Sequence, residues 1–301
     1  MRIVLTGVHG QVGWELASVL SGSGTLIPCD RSRLDLSAPT HIARCIDDLR
    51  PDVIINAAAY TAVDKAESEA ALATAVNATA PTALAEAACR HGALLIHYST
   101  DYVFDGRKPA PYVEADETCP LNAYGRSKRQ GEIAIRDSGA DHLIFRTSWV
   151  FSARGGNFLK TMLRLAAERE QLREQLRVVS DQIGAPTAAR LLAACTARAL
   201  SQTILERREG RFRSGLYHLS ASGHTSWHGF ASSIIAGARS RGLRLKCRQI
   251  DAITTAEYPL PAARPANSRL DCSRFVRHFG LSLPDWQEDM GLCLDEVVSG
   301  R

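Results

Sequence analysis

The chain of 301 residues is 45% hydrophobic and 23% charged, an ordinary balance for a globular protein of one large or two moderate domains. Its 36 basic and 32 acidic residues give a small, dispersed net charge of +4; with 6% aromatics and no RNA-binding or zinc-finger motif, this argues against nucleic acid as a partner. It contains no apolar run of about 18 residues, so we expect no membrane span.

Short apolar runs alternate with helical patterns through the first half of the chain. The runs predict strands at residues 2–7, 25–30, 51–59, 93–100 and 142–150. Helical spacing predicts helices at 11–20, 41–49 and 65–91, and one more that carries Tyr124 and Lys128. Strands that are apolar throughout and separated by helices indicate a parallel sheet covered on both faces. We therefore expect an α/β fold, a Rossmann-type doubly wound parallel sheet.

Past residue 150 the alternation loosens. The sequence favours helices at 154–170, at 187–207 and after the "PDWQ" that begins at 284, with a strand and loop at 176–187. No repeat or low-complexity linker separates the two halves. We expect a dinucleotide-binding domain at 1–150 and a mainly substrate-binding part at 151–301, with some segments interleaved into the first domain.

The turn after the first strand carries three glycines. It reads GVHGQVG, with Gly7, Gly10 and Gly13, and it joins a strand to a helix as a dinucleotide-binding turn requires. Glycines let backbone N–H groups approach a diphosphate at the helix N-terminus. Asp30 ends the second strand, where a carboxylate accepts hydrogen bonds from the adenosine ribose. The alternative is a Rossmann domain that no longer binds a dinucleotide.

The choice between the two nicotinamide cofactors stays open. Asp30 favours free ribose hydroxyls, whereas Arg31 and Arg33 accommodate a 2′-phosphate. We therefore expect NADPH or NADH as the cofactor.

A tyrosine and a lysine lie one helical turn apart in "YGRSK". Tyr124 and Lys128 share a helix face, and a fixed ammonium beside a phenol lowers the pKa of the phenol. Thr100 and Asp101 end the fourth strand, so we expect them in the same crevice at the carboxyl edge of the sheet. A hydroxyl that orients a carbonyl, a phenol that donates a proton and a lysine that holds the ribose form a carbonyl-reduction site. The alternative is a solvated pair on a surface helix.

These motifs resemble the extended short-chain dehydrogenases/reductases. The glycine turn, "STDYVFDG" and the Y-x-x-x-K spacing carry the likeness. Within that family, "SDQIGAPT" together with "RPANSRL" is similar to the branch that reduces the C4 keto group of dTDP-4-dehydro-L-rhamnose to dTDP-L-rhamnose. The likeness runs from residue 1 to about 290. It implies a small nucleotide-sugar substrate and a nicotinamide cofactor.

The glycine turn, the reading of the crevice and the resemblance together give a set of expected site residues. The catalytic residues are Thr100, Tyr124 and Lys128. The cofactor-binding residues are Gly7, Gly10, Gln11, Val12, Gly13, Asp30, Asp35, Leu36, Ala59, Tyr60, Thr61, Tyr98, Tyr124 and Lys128. The substrate-binding residues are Thr100, Asp101, Trp149, Arg264 and Asn267. The resemblance alone implies the roles of Gln11, Val12, Asp35, Leu36, Ala59, Tyr60, Thr61, Tyr98 and Trp149. For Arg264 and Asn267, an equal alternative is that they only shape a proline-rich loop.

One position departs from the family. Some members are dimers bridged by magnesium through glutamates, and Glu15 matches one of these, but Arg190 stands where they carry glutamate. An arginine repels a cation and cannot ligate it, so we expect no metal. A homodimer through other contacts is left open.

The cysteine pattern and the N-terminus bear on localisation. The eight cysteines form no CxxC pair and no zinc-ligand spacing with histidine. The chain starts on a strand pattern rather than a secretory signal. We expect reduced thiols and a cytoplasmic protein.

Two other functions stay open at this point. Relatives on the same fold act as non-catalytic regulatory subunits, which need no proton donor beside a lysine. Nucleotide-sugar epimerases and dehydratases share the fold, but a dehydratase normally carries an Asp-Glu pair after the threonine. Here Asp101 and Tyr102 follow Thr100, which favours simple reduction.

Overall fold

The computed structural model describes residues 1–168 and 175–300. The strands are β1 (Arg2–Thr6), β2 (Thr25–Cys29), β3 (Val53–Asn56), β4 (Leu94–Thr100), β5 (His142–Thr147), β6 (Val150–Phe151), β7 (Gln175–Val179), β8 (Ile183–Gly184), β9 (Thr187–Ala188), β10 (Gly215–His218), β11 (Thr225–Ser226) and β12 (Gln249–Ile253). The α-helices are α1 (Gln11–Val19), α2 (Pro39–Leu49), α3 (Ala70–Thr74), α4 (Ala80–His91), α5 (Ala123–Asp137), α6 (Phe158–Glu168), α7 (Ala189–Arg208), α8 (Trp227–Ser240), α9 (Ser273–Phe279) and α10 (Trp286–Ser299).

The main sheet of the described chain has six strands in the order β2-β1-β3-β4-β5-β10, and every neighbouring pair is parallel. Successive residues of a strand point to opposite faces. Ile3 and Leu5 therefore belong to the hydrophobic cluster that α1 and α7 cover, while Val4 belongs to the one under α2 and α4. The predicted fold class, a doubly wound parallel sheet, is confirmed.

The last strand of this sheet comes from the second half of the chain. β10 pairs with β5, with Tyr217 opposite Phe145, so a segment beyond residue 150 lies in the sheet built by the first half. The other short strands pair among themselves, β12 with β7, β9 with β6 and β11 with β8. The domain boundary at residue 150 stays a prediction.

The helix predicted over 65–91 is interrupted. A 3₁₀ turn (Lys65–Glu67), the short helix α3 and a π-helical turn (Ala75–Thr79) precede α4. Pro81 lies in the first turn of α4, where its missing N–H removes a donor that would continue the preceding helix. Within the π turn, the side chain of Asn77 forms hydrogen bonds with the backbone of Tyr60.

The fifth predicted strand is also shorter than expected. β5 ends at Thr147 and β6 resumes at Val150, because Trp149 has a positive φ of 48° that strand geometry forbids. The helix predicted at 154–170 corresponds to α6, and its last two residues lie outside the described chain. Within the described residues, the eight cysteines are all unpaired, and no helix is long and apolar enough to cross a membrane.

The glycine turn packs tightly between β1 and α1. The Gly10 N–H donates to the Gly7 carbonyl at 2.8 Å, and Gly7 has a φ of 69°, which favours glycine. A Cβ on Gly13 would lie 2.0 Å from the Gly7 carbonyl oxygen. Only glycine at position 13 therefore lets α1 start this close to the strand.

We predict that Gly13→Ala destabilises the chain, because backbone must move to admit the methyl group. Forced overpacking of this kind costs about 1–3 kcal/mol. Urea unfolding followed by circular dichroism measures the change. The matched control is Gly22→Ala, where an added Cβ meets nothing within 4 Å. Equal stability of the two variants would contradict the assigned packing of the turn.

Candidate active site

A cavity of about 430 Å³ opens at the carboxyl ends of β1, β2 and β3. Ligands of open α/β sheets bind at this edge. The expected cofactor residues that line it are Gly7, Gly10, Asp30, Asp35, Leu36, Ala59 and Tyr60. α1 begins at the cavity with no side chain capping its N-terminus and no acidic residue in its first turn. Its backbone N–H groups are therefore suited to an anionic diphosphate.

Asp30 is held by its own turn. Its Oδ1 accepts hydrogen bonds from the Ser32 N–H at 3.0 Å, the Ser32 hydroxyl at 2.6 Å and the Arg33 N–H at 3.1 Å. These bonds hold the pKa of the Asp30 carboxyl below its usual value. The other oxygen, Oδ2, lies 3.7 Å from Nε2 of His9. Asp30 is thus an ionised acceptor at the cavity wall.

The other expected cofactor residues, Gln11, Val12, Gly13, Thr61, Tyr98, Tyr124 and Lys128, lie outside the cavity lining. The Gln11 side chain accepts from Ser152 and Asn157, tying the glycine turn to the segment after β6. Val12 packs against the core, and Thr61 is exposed beyond the cavity. From residues 11–13, backbone groups rather than side chains are available to a ligand.

Thr100, Asp101 and Tyr124 meet at the end of β4. The Thr100 hydroxyl donates to Asp101 Oδ1 at 3.0 Å, and the Tyr124 phenol lies close enough to Thr100 and Asp101 for both to shift its pKa. The Tyr102 ring packs edge-on against Tyr124, with centroids 5.7 Å apart. Asn122 caps α5 by accepting from the Gly125 N–H, which fixes the first turn that carries Tyr124. The structure thus brings the predicted hydroxyl and phenol together.

The protonation of Tyr124 differs from the expectation. Burial raises the pKa of the Tyr124 phenol to about 12, the neighbouring Thr100 hydroxyl opposes this rise, and the charge of Asp101 adds to it. Lys128 does not lower it, because its ammonium is directed elsewhere: Nζ donates to the Tyr98 carbonyl at 2.6 Å. Burial lowers the pKa of Lys128 to about 8, and Glu132 opposes that shift.

Tyr98 contributes its backbone rather than its side chain to this region. Its ring belongs to the hydrophobic core, and its hydroxyl shares a 2.6 Å hydrogen bond with Thr196 of α7. Strand alternation points the ring to the face under α7, so the backbone carbonyl of Tyr98 is the group that anchors Lys128. The expected contact of Tyr98 with a cofactor stays a prediction.

Trp149 has a strained backbone and an aromatic partner. Its φ of 48° is uncommon for a residue with a bulky side chain. Its ring stacks on Trp227 with centroids 3.6 Å apart, and a Cβ on Gly184 would lie 2.5 Å from it. Residues held in such conformations cluster at functional sites. Trp149 is half-buried and held by these contacts, and its contact with a substrate stays a prediction.

Arg264 and Asn267 are engaged by the protein itself. Arg264 donates to both carboxylate oxygens of Asp64, at 3.0 and 2.7 Å. The Asn267 amide donates to the carbonyls of Lys108 and Ala110, while its oxygen accepts from Arg269. Both therefore fasten the proline-rich loop, which is the alternative weighed from the sequence, and their contact with a nucleotide diphosphate stays a prediction.

The comparisons with known proteins address the family. A family model described as the RmlD substrate binding domain matches residues 1–299. The dTDP-4-dehydrorhamnose reductase of Burkholderia thailandensis is 52% identical over 301 residues, covering 99% of this chain and 100% of that protein. The dTDP-4-dehydrorhamnose reductase of Escherichia coli strain K12 is 49% identical over 303 residues, covering 99% of each. The chain belongs to the dTDP-4-dehydrorhamnose reductase family.

A solved structure agrees in fold with this family assignment. The dTDP-4-dehydrorhamnose reductase of Bacillus anthracis, in complex with NADP, has a TM-score of 0.87 and 36% identity, covering 98% of this chain and 99% of that one. The resemblance inferred from the motifs is thereby confirmed at the level of the family.

The position that departs from metal-bridged members of the reductase family forms an ion pair. Arg190 donates to the Glu296 carboxylate. Glu15 lies near both, and burial raises the pKa of its carboxyl while Arg190 opposes that rise. The Arg190 guanidinium is thus paired with one of these carboxylates and lies near the other. Within residues 1–168 and 175–300, no group of three or more histidine, cysteine or acidic side chains is arranged to hold a metal.

Sequence reasoning about this reductase-family site missed Asn77. Its amide accepts from the Tyr60 N–H at 2.8 Å and donates to the Tyr60 carbonyl at 2.9 Å and to Ser127 Oγ at 3.0 Å. It therefore locks the turn after β3 to the helix that carries Tyr124. The break in helical geometry at the π turn is invisible in an alanine-rich pattern, since the residues around it are good helix formers.

We predict a pH-dependent stability from Asp101. Burial raises the pKa of the carboxyl from 3.8 to about 6, and the neighbouring polar side chains of Ser268 and Thr100 oppose that rise. The folded chain therefore holds this proton more tightly than the unfolded chain, and stability falls as the pH rises from about 4 to about 6. The loss is about 2–3 kcal/mol.

The measurement compares urea unfolding of the parent and Asp101→Asn at pH 4 and pH 7. The amide mimics the protonated carboxyl in shape, so the variant gains stability relative to the parent as the pH rises. A difference that is the same at both pH values would contradict the raised pKa.

Proposed function

We propose that the chain reduces the C4 keto group of dTDP-4-dehydro-L-rhamnose to dTDP-L-rhamnose with NADPH or NADH. The observation that carries the proposal is the contact of Tyr124 with Thr100 at the carboxyl end of β4, one helical turn from the buried Lys128. It is supported by curated reductases that share about half of their residues with this chain over its full length.

The cavity residues suit a dinucleotide. The glycine turn and the uncapped start of α1 fit the diphosphate, and Asp30 fits the adenosine ribose. Arg31 lines the same cavity and suits a 2′-phosphate. The Bacillus anthracis relative was solved with NADP, which supports use of the phosphorylated cofactor. Bound in this way, the nicotinamide supplies a hydride to the C4 carbon.

The residues at the end of β4 have distinct roles in the proposal. Thr100 orients the keto oxygen, and Tyr124 donates a proton to it as negative charge develops. The raised pKa of Tyr124 keeps its phenol protonated at neutral pH, which is the state that a proton donor needs. Lys128 holds the nicotinamide ribose and adds positive charge beside the reaction. Trp149 and Asp101 face the sugar.

A regulatory subunit needs no proton donor beside a lysine, so the proximity of Thr100, Tyr124 and Lys128 favours the enzyme over that alternative. A cytoplasmic location and a homodimer stay predictions.

We predict that Tyr124→Phe lowers kcat by about 10²–10⁴-fold with KM nearly unchanged, because one oxygen is lost and packing survives. The assay follows nicotinamide absorbance after mixing NADPH with the 4-keto sugar nucleotide. The matched control is Tyr217→Phe, a buried tyrosine of β10 that packs on Phe145 and Phe275 in the core. If Tyr124→Phe keeps more than a third of the parental rate, Tyr124 is not the donor. If the parent oxidises neither NADPH nor NADH, the reductase proposal fails.

A further inference from the structure

Three polar side chains form a row across the middle of the sheet. Thr6 of β1 lies opposite Asn56 of β3, and Asn56 lies opposite His97 of β4. Their exposed fractions are 2%, 1% and 0%. Such groups cost free energy in the core unless each is hydrogen-bonded. Neither the glycine turn nor the predicted catalytic residues account for them.

The row runs unbroken from the cofactor cavity to Lys128. The Ala58 N–H donates to Thr6 Oγ1 at 3.3 Å, and the Thr6 hydroxyl lies 2.7 Å from Asn56 Oδ1. The Asn56 Nδ2 lies 3.0 Å from His97 Nδ1. At the far end His97 Nε2 lies 3.3 Å from Nζ of Lys128. One imidazole therefore joins the row to the lysine.

The donors and acceptors along the row are linked. Neutral histidine carries one proton, so one ring nitrogen donates and the other accepts. An ammonium on Lys128 only donates, so His97 Nε2 accepts and its proton sits on Nδ1. Asn56 must then turn its oxygen toward Nδ1, which exchanges two amide atoms of similar shape. If Asn56 instead turns its NH₂ toward Nδ1, the imidazole proton sits on Nε2. That N–H can donate only to an uncharged Lys128.

We propose that His97 is a positioning residue for Lys128. Its neutral imidazole offers the Nε2 lone pair to the ammonium, and Asn56, with its amide oxygen turned toward Nδ1 and its NH₂ toward Thr6, fixes the tautomer that makes this acceptor available. Lys128 then gives one N–H to the Tyr98 carbonyl and one to His97, which leaves the third for the cleft. Deprotonation of Lys128 reverses the direction of every hydrogen bond along the row.

Other titratable groups face α5 and bear on the same lysine. They are Glu67 at the start of the helix, Asp101 and Tyr102 beside Tyr124, Tyr98 beneath Lys128, and Arg146, which pairs with Glu132. The titratable side chains of α4 are exposed. Of these charges, Glu132 stabilises the ammonium, and burial together with that ammonium lowers the pKa of His97 well below 6.5. The imidazole is therefore neutral at pH 7.

Two substitutions at His97 separate positioning from packing. His97→Gln places an amide oxygen near the position of Nε2 and keeps an acceptor for Lys128. His97→Asn is shorter, so it reaches Asn56 and leaves the ammonium without that partner. Each puts one neutral amide into the same buried place on β4.

The kinetic test of this inference rests on the proposed function. We expect His97→Asn to lower kcat by about 10- to 100-fold, the range for losing a hydrogen bond to a charged group, and His97→Gln to stay within about threefold of the parent. His142→Gln, a buried histidine of β5 that bonds to the Ala140 carbonyl, is the control. Equal losses in the Asn and Gln variants, or no loss in either, would overturn the positioning role.

A second arm needs no turnover and separates the two proposals. Imidazole ¹⁵N shifts of the intact chain, with the His97 signals identified by their absence in His97→Gln, report which nitrogen carries the proton. At pH 6.5 we expect a neutral ring protonated on Nδ1, which changes to Nε2 as the pH is raised through the titration of Lys128. An imidazolium, or a ring protonated on Nε2 at pH 6.5, would overturn the inference even in an active enzyme. An inactive parent with the expected tautomer would overturn only the proposed function.

Discussion

The burial of the Lys128 ammonium constrains the whole site. The side chain is only 2% exposed, so the charge is separated from water and needs protein partners. The Tyr98 carbonyl supplies the shortest contact, at 2.6 Å, and Glu132 supplies the opposing charge. Glu132 is itself paired with Arg146 of β5, with 2.6 Å between the two closest atoms. A lysine held in this way ties α5 to β4 and β5 together and fixes Tyr124 one turn away.

The close approach of α5 to its neighbours follows from its glycines. A Cβ on Gly125 would lie 2.2 Å from the Tyr102 carbonyl oxygen, and one on Gly131 would lie 2.2 Å from the carbonyl oxygen of Asn77. The first contact presses the helix against the turn after Thr100, and the second presses it against the π turn. The distance between the phenol and the threonine is therefore set by backbone packing rather than by flexible side chains.

The sequence predicted the parts of this arrangement that depend on local pattern. Apolar runs located the strands from β1 to β5, and the i, i+4 spacing placed Tyr124 and Lys128 on one helix face. It could not show that Tyr98 turns its ring into the core or that Arg264 is held by Asp64, since both depend on segments far apart in the chain. Nor could it show the contacts of His97, because its partners lie on another strand and on a helix.

The most direct test of the account follows the hydride. The chain is incubated with the 4-keto sugar nucleotide and NADPH that carries two deuterium atoms at C4 of the nicotinamide, and the product is read by proton NMR. We predict deuterium at C4 of the new sugar, in step with NADPH oxidation. A product with no deuterium, or an isomerised sugar with the cofactor unconsumed, would contradict reduction at the site built around Thr100, Tyr124 and Lys128.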